Sequence, residues 1–488
     1  MTSQFDYYSI LGIDKNATRE EILEAFDDLC LNIPEAQRDP DNNPEYQRIL
    51  NAYEVLVDPS RRDIYDSLLV ETSPLSLNVE MIASRDRISL SDTQQMLYLL
   101  VEIKPPQHVT EKQRPLNLCM VIDRSTSMQG ERLRAVKTAV DLIVEKLSAE
   151  DIISIISFSD RAKVVVPSGP VTNKALISGK VRGITASGGT EIYQGLNAGV
   201  KQLKQISLDD YTNHLILLTD GHTYGDAAEC LDLANKASLS GIGFSAFGIG
   251  TEWNDQFLDK LVAPSGGQSG YIESPKRVID YLRDRIKGLG QIFAQNMRLQ
   301  KEFPRSIRLE HGFKLVPFAQ PLTLDEDEIP LGDVEGRYPI SFLLQISIDP
   351  QPIETRINIP LSFTADIPGQ RTHERTFKHQ HQIYVLNNAP HVAPPEKIVE
   401  AVRMLNMYQM NEKVLEEVEA GRLDVATQRM RHLTTRLLQA GETQLAHQAH
   451  SEAERLSNMG TISMEGRKRL KYGTRALINQ TINLNSND

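Results

Sequence analysis

Leu116-Asn117-Leu118-Cys119-Met120-Val121-Ile122-Asp123-Arg124-Ser125-Thr126-Ser127-Met128 is the stretch on which the reading of this chain turns. Its first seven residues are nearly all apolar, as in a strand covered on both faces. A polar loop follows, with one carboxylate and two hydroxyls at alternate positions. Arg132–Leu147 then has apolar residues at helical spacing. A buried strand, a polar loop and an amphipathic helix form the opening unit of a parallel α/β domain.

The same alternation continues downstream. Strands are expected at Ile152–Phe158, Lys163–Val166, His214–Thr219, Ile242–Ile249 and Gly270–Ile272, with helices at Ile192–Gln205 and Ala227–Ala237. Only Ser159–Ala162 separates the second strand from the third, a link suited to a hairpin, so one edge strand should be antiparallel. Residues 114–294 are therefore read as a doubly wound, Rossmann-like domain. β-type sequence flanks it on both sides, at 76–112 and at 300–388, where Phe342–Ile346, Ile357–Phe363 and Gln382–Leu386 are the clearest strands. The first flank alone has too few strands to be stable, so a single β-sandwich interrupted by the α/β block is expected. Residues 395–480 read as helices turning at Gly421 and Gly441, with Met404, Met407, Met410 and Met430 in the core and Asn479–Asp488 as a frayed tail. Residues 1–70 read as a small helical domain with a capping box at Thr18 and Glu21. The fold class is thus multidomain, α/β with β and α.

Composition narrows the function. The net charge is −12 and no basic stripe is present, which argues against nucleic acid or anionic membrane as partner. No apolar run reaches the roughly 18 residues of a membrane span, and Met1-Thr2-Ser3-Gln4-Phe5-Asp6 does not read as a signal peptide. Cys30, Cys119 and Cys230 are too few and too scattered for a disulfide framework. A cytoplasmic chain with protein partners is the expectation. No acylating Gly-x-Ser-x-Gly elbow or phosphate-binding Gly-x-x-x-x-Gly-Lys-Ser/Thr loop occurs, and a catalytic acid two residues after Asp123 is replaced by Ser125, so no enzymatic activity is expected.

Three short segments carry the chemistry: Asp123 to Met128, Ser187-Gly188-Gly189-Thr190, and Thr219-Asp220-Gly221. All fall where strands give way to loops at the carboxyl edge of the sheet, the ligand-binding edge of open α/β folds. A hard cation such as Mg2+ takes oxygen ligands and retains some of its waters. Asp123 and Asp220 supply charge, and Ser125, Ser127 and Thr190 supply hydroxyls. Two carboxylates and three neutral oxygens leave a coordination position that another molecule's carboxylate could fill. As a set, these five residues resemble the metal-ion-dependent adhesion site of von Willebrand factor A domains, with Thr126 where the family usually has Gly. The resemblance covers residues 114 to 290. It implies a bound Mg2+, Mn2+ or Ca2+ and a protein partner offering an Asp or Glu.

Asp6-Tyr7-Tyr8-Ser9-Ile10-Leu11-Gly12 and Ala52-Tyr53-Glu54-Val55-Leu56-Val57-Asp58-Pro59 resemble the two ends of a J domain of the DnaJ class. The family's His-Pro-Asp is missing: Pro34-Glu35-Ala36 stands at its expected place, and Asp39-Pro40-Asp41 is the nearest remnant. The helix that should be basic carries Glu20, Glu21, Glu24, Asp27 and Asp28. Residues 1–70 hold 15 acidic and 6 basic side chains, so like charge opposes the family's docking on a DnaK-class chaperone. A repurposed docking module is expected there.

The leading expectation is a cation-dependent binding and scaffolding protein. The alternatives are an A-type adaptor of an AAA+ ATPase of the MoxR or chelatase kind, and a chaperone adaptor acting through the J-like domain. The resemblance to von Willebrand factor A domain proteins of bacteria implies a regulatory or assembly role beside ATPases, kinases or phosphatases. The pairs His379/His381 and His447/His450 lack further ligands at suitable spacing and read as exposed histidines. Asp325-Glu326-Asp327-Glu328 reads as a solvated acidic loop rather than a calcium loop.

Overall fold

The computed structural model describes residues 7–13, 17–31, 33–34, 38, 43–59, 61–62, 65, 77–104, 114–222, 225–274, 277–289, 292–324, 326–335, 339–367 and 372–484. The chain divides into two units, 1–76 and 77–488.

The first unit packs α1 (Tyr7–Leu11), α2 (Arg19–Leu31) and α3 (Pro44–Leu56). The expected capping box forms: Thr18 N–H donates to Glu21 Oε2 at 2.6 Å, and Glu21 N–H returns to Thr18 Oγ1 at 3.3 Å. Asn43 caps α3 by accepting from the Glu45 and Tyr46 amides. Tyr8, Leu11, Ile22, Ile49, Ala52 and Leu56 form the core, and Phe26 stacks on Tyr53 with ring centroids 4.1 Å apart. Glu35, Ala36 and Asp39 to Asp41, in the loop compared with His-Pro-Asp, lie outside the described residues.

The second unit begins with β1 (Asn78–Ala83), β2 (Arg87–Ser89) and β3 (Gln95–Lys104), then enters the α/β block. The block runs β4 (Leu116–Asp123), α4 (Glu131–Lys146), β5 (Ile152–Phe158), β6 (Ala162–Pro170), α5 (Lys174–Arg182), α6 (Ile192–Leu203), β7 (Thr212–Thr219), α7 (Ala227–Ser238), β8 (Ile242–Ile249), α8 (Asp255–Val262), β9 (Gln268–Ile272) and α9 (Val278–Leu289). The strand order is β6-β5-β4-β7-β8-β9, parallel except for the β5–β6 hairpin. Residues of β4 alternate between two cores. Leu118, Met120 and Ile122 face α4 and α9, while Cys119 and Val121 face α6 and α7. Gly195 and Gly199 bring α6 against the sheet. A Cβ on Gly195 would lie 2.7 Å from the Phe158 ring, and one on Gly199 2.9 Å from Val121.

After the block come β10 (Ile292–Gln300), β11 (Ile307–Val316), β12 (Gln320–Pro321), β13 (Glu328–Glu335), β14 (Ile340–Ile348), β15 (Thr355–Ile367) and β16 (Thr372–Leu386). They complete two five-stranded sheets, ordered β1-β3-β14-β11-β12 and β13-β10-β15-β16-β2. Each sheet mixes strands from before and after the block, so the α/β domain is an insertion in one sandwich. Phe342 of the first sheet meets Phe363 of the second edge to face. Two buried cations join insertion and sandwich. Lys314 donates to the Gly266 and Leu331 carbonyls, and Arg285 of α9 pairs with Glu335 at 2.7 Å. Burial lowers the Lys314 ammonium to about 8.

Four helices close the chain: α10 (Glu396–Glu419), α11 (Leu423–Gln439), α12 (Thr443–Met459) and α13 (Met464–Leu484). Ile398, Leu405 and Tyr408 of α10 cover Leu100, Phe313 and Leu343 on the outer face of the first sheet. Gly421 and Gly441 turn the chain as expected, both at positive φ, and a third turn occurs at Gly460. The tail expected from Asn479 instead continues α13 to Leu484, because Ile478 and Ile482 keep the helical spacing. Met407 and Met430 are buried in the helical core. His379 and His381 are half-buried rather than exposed, and His381 bonds Asp86 at 3.0 Å.

Candidate functional site

In this sheet β4 is flanked by β5 on one side and β7 on the other. The chain therefore reverses its winding between β4 and β7, opening a crevice at their carboxyl ends. Asp123 ends β4 and Asp220 directly follows β7, both fully buried. Ser125 and Ser127 lie in the tight turn after β4. Ser125 N–H donates to Asp123 Oδ1 at 2.8 Å, the two seryl oxygens are 3.0 Å apart, and Ser127 Oγ donates to Asp220 Oδ1 at 2.7 Å. Four of the five predicted positions thus form one hydrogen-bonded chain. The fifth, Thr190, is buried with Oγ1 3.2 Å from where a Cβ on Gly221 would stand, so it borders the residue after Asp220.

The Thr190 loop is held from both neighbouring strands. Ser187 N–H donates to the Arg124 carbonyl at 2.7 Å, Gly189 N–H to Asp160 Oδ1 at 2.9 Å, and Glu191 N–H to the Ser159 carbonyl at 3.0 Å. Thr126 donates both its amide and its hydroxyl to the Gly188 carbonyl at 3.1 Å. The hydroxyl makes a loop contact that the more usual glycine could not.

Sequence reasoning missed three contributors. Thr219 Oγ1 donates to Asp123 Oδ2 at 2.6 Å. Asp160 fixes the Gly188-Gly189 turn. Arg132 pairs with Asp220 Oδ2 at 2.5 Å and packs on Gly250. Arg132 left a trace, because a cation in the first turn of a helix opposes the macrodipole and invites another explanation.

Burial raises the Asp123 carboxyl above its ordinary range; bonds from Thr219 and Ser125 only partly offset this, and the nearby Asp220 charge adds to it. The cluster thus has two buried carboxylates; among the described residues the cation paired with them is Arg132, while Arg124 of the same loop turns to Ser187. Its oxygen-only donor set suits a hard divalent cation. Among the described residues no three His, Cys, Asp or Glu side chains are grouped so as to hold a metal ion; the candidate set here has two carboxylates, and its other three donors are hydroxyls.

Comparison with known proteins bears on the domains of the chain. The von Willebrand factor type A domain profile matches residues 117–280, the DnaJ domain profile 6–66, and that of the Sll0103-like, C-terminal alpha-helical domain 396–480. An uncharacterized protein of Synechocystis sp., sll0103, is 31% identical over 266 residues, 53% of this chain and 62% of that protein. An uncharacterized Escherichia coli protein, YfbK, is 23% identical over 60% of this chain and 52% of its own length. The matches therefore span only about half to three-fifths of these relatives. A von Willebrand factor type A structure from Catenulispora acidiphila superposes with a TM-score of 0.67 at 14% identity, covering 83% of this chain and 98% of that one, a likeness of fold. The α/β insertion is thus a von Willebrand factor type A domain, in a chain that also carries an N-terminal DnaJ domain and an Sll0103-like C-terminal helical domain.

Proposed function

We propose that this chain is a non-enzymatic binding protein of the cytoplasm that engages an acidic residue of a protein partner through a divalent cation. Asp123, Ser125, Ser127, Thr190 and Asp220 would hold Mg2+, with Mn2+ or Ca2+ able to replace it. The bound ion would supply positive charge for the partner's carboxylate. The chain's own residues do the rest. Thr219 and the Ser125 amide orient Asp123, Ser127 orients Asp220, and the Asp160-anchored loop positions Thr190. The supporting observation is the convergence of two buried carboxylates and three hydroxyls at the strand-order switch, with Arg132 paired to one of the carboxylates.

Calorimetry tests this directly. Wild-type protein should bind one Mn2+ or Mg2+, and Asp123→Ala should abolish binding; equal uptake by both would refute the assignment. Partner retention should require the cation and fall in Thr190→Ala while the domain stays folded. The DnaJ domain, acidic along α2, is proposed as a docking module rather than a chaperone activator. The full chain should leave a DnaK-class ATPase unaccelerated where a genuine J protein stimulates it, and clear stimulation would overturn that part.

A further inference from the structure

A second surface lies far from the cation site in sequence. Between α10, α11 and the outer face of the first sheet at Tyr98 of β3 runs an open cleft of about 570 Å3. Its floor is apolar, formed by Tyr98, Ile398, Val402, Met407 and Met410, with Val399 half-exposed at the lip. Its rim is cationic, with Arg403 and Lys413 on α10 and Arg429 and Arg436 on α11, and no carboxylate is among the residues lining it. Only Arg429 makes an ion pair, to Glu417 at 3.6 Å; Arg403, Lys413 and Arg436 make none among the described residues. This concentration of cations stands out in a chain of net charge −12.

Spacing identifies the ligand class. At a rise of about 1.5 Å per residue, Arg403 and Lys413 are about 15 Å apart along α10, and Arg429 and Arg436 about 10 Å apart along α11. One carboxylate cannot satisfy cations so dispersed, but a row of them can. An amphipathic helix with apolar residues at i, i+3, i+4 and i+7 and acidic flanks matches both floor and rim. We propose that this cleft of the C-terminal helical domain docks an acidic amphipathic helix of about three turns from a partner protein. Apolar contact holds the helix on the floor, and the rim sets its charge preference and speeds its arrival. This surface is independent of the cation site.

The test uses the full chain in chelator, which silences any cation-dependent binding. The probe is a fluorescein-labelled synthetic helix with leucine on one face and glutamate on the other, and the control replaces every glutamate by lysine. Fluorescence anisotropy should show binding of the acidic probe only, weakening with added salt. The exposed pair Arg403→Glu with Arg436→Glu should weaken it about tenfold or more at unchanged melting temperature, Val399→Asp should also weaken it, and Arg403→Lys with Arg436→Lys should retain it. No binding of the acidic probe, equal binding of the lysine probe, full binding by the folded charge-reversed variant, or displacement of the probe by laurate at lower concentration would each overturn the proposal.

Discussion

Two pairs of carboxylates on the von Willebrand factor type A domain invite comparison. At the β4–β7 crevice, Asp123 and Asp220 are fully buried among hydroxyls with one arginine beside them. On the flank of the domain, Asp255 and Asp259 of α8 meet Lys471 and Arg475 of α13. Lys471 Nζ lies 2.5 Å from Asp255 and 2.9 Å from Asp259, and Arg475 grips both Asp259 oxygens at 3.0 and 2.7 Å. Burial, the largest single influence, would raise both flank carboxyls, but Lys471 and Arg467 together outweigh it at Asp255, and Arg475 with Lys471 outweighs it more strongly at Asp259, so both stay below the ordinary range. At the crevice burial prevails and Asp123 is raised. The chain therefore neutralises one pair with its own cations and leaves the other under-compensated. The first arrangement is a permanent joint; the second suits an ion from solution.

The largest test removes the flank's compensation. Arg475→Met should cost about 2–3 kcal/mol, because it removes two charge-assisted hydrogen bonds to Asp259 and leaves that carboxylate only Lys471. Denaturant titration measures this, and a loss below about 1 kcal/mol would show that the joint rests on packing alone. The acid limb should follow the same pair. Groups held below their usual pKa stabilise the fold above the ordinary carboxylate range, and that contribution is lost as pH falls below about 4. Asp259→Asn should flatten this part of the pH–stability curve.

At the crevice the expected effects are smaller. Arg132 offsets one of the two charges that would hold a cation, so Arg132→Gln should tighten Mn2+ binding about tenfold, or 1.4 kcal/mol. Unchanged affinity would mean that its charge is screened. The smallest effect concerns the metal-free fold. A carboxyl raised by burial contributes stability below its unfolded pKa and loses it as pH rises. In chelator at neutral pH, Asp123→Asn should therefore melt slightly above wild type, with the advantage fading toward pH 4. The repulsion between Asp123 and Asp220 is the less promising target, because Arg132 already pairs with Asp220.

The crevice was legible in the sequence and the flank joint was not, for a physical reason. Leu116–Ile122 and Leu215–Leu218 announce themselves because strands buried on both faces lose their polar alternation. The donor segments then lie where those runs stop. Lys468, Lys471 and Arg475 recur at helical spacing, as do Asp255 and Asp259, and each set alone looks like a solvated helix face. Nothing local distinguishes charge facing water from charge facing a mate. The helix α9 was likewise overlooked, because arginines such as the buried Arg285 interrupt its apolar stripe while reaching Glu335 in the sandwich. The capping box at Thr18 was found because both of its partners lie within one turn.

The grip of α13 also bears on how the chain can change over generations. Lys468 donates to the Thr251 and Trp253 carbonyls and sits 4.4 Å above the Trp253 ring, and Tyr472 closes an aromatic cluster with Trp253 and Tyr271. Plug and socket are 216 residues apart in sequence at the Asp259–Arg475 contact. A substitution on one side leaves an uncompensated charge or an empty aromatic slot on the other. The A domain and the last helix are therefore inherited as a matched pair: a recombination that exchanged one without the other would join two foreign surfaces, and chains related to this one should vary at Asp259 and Arg475 together.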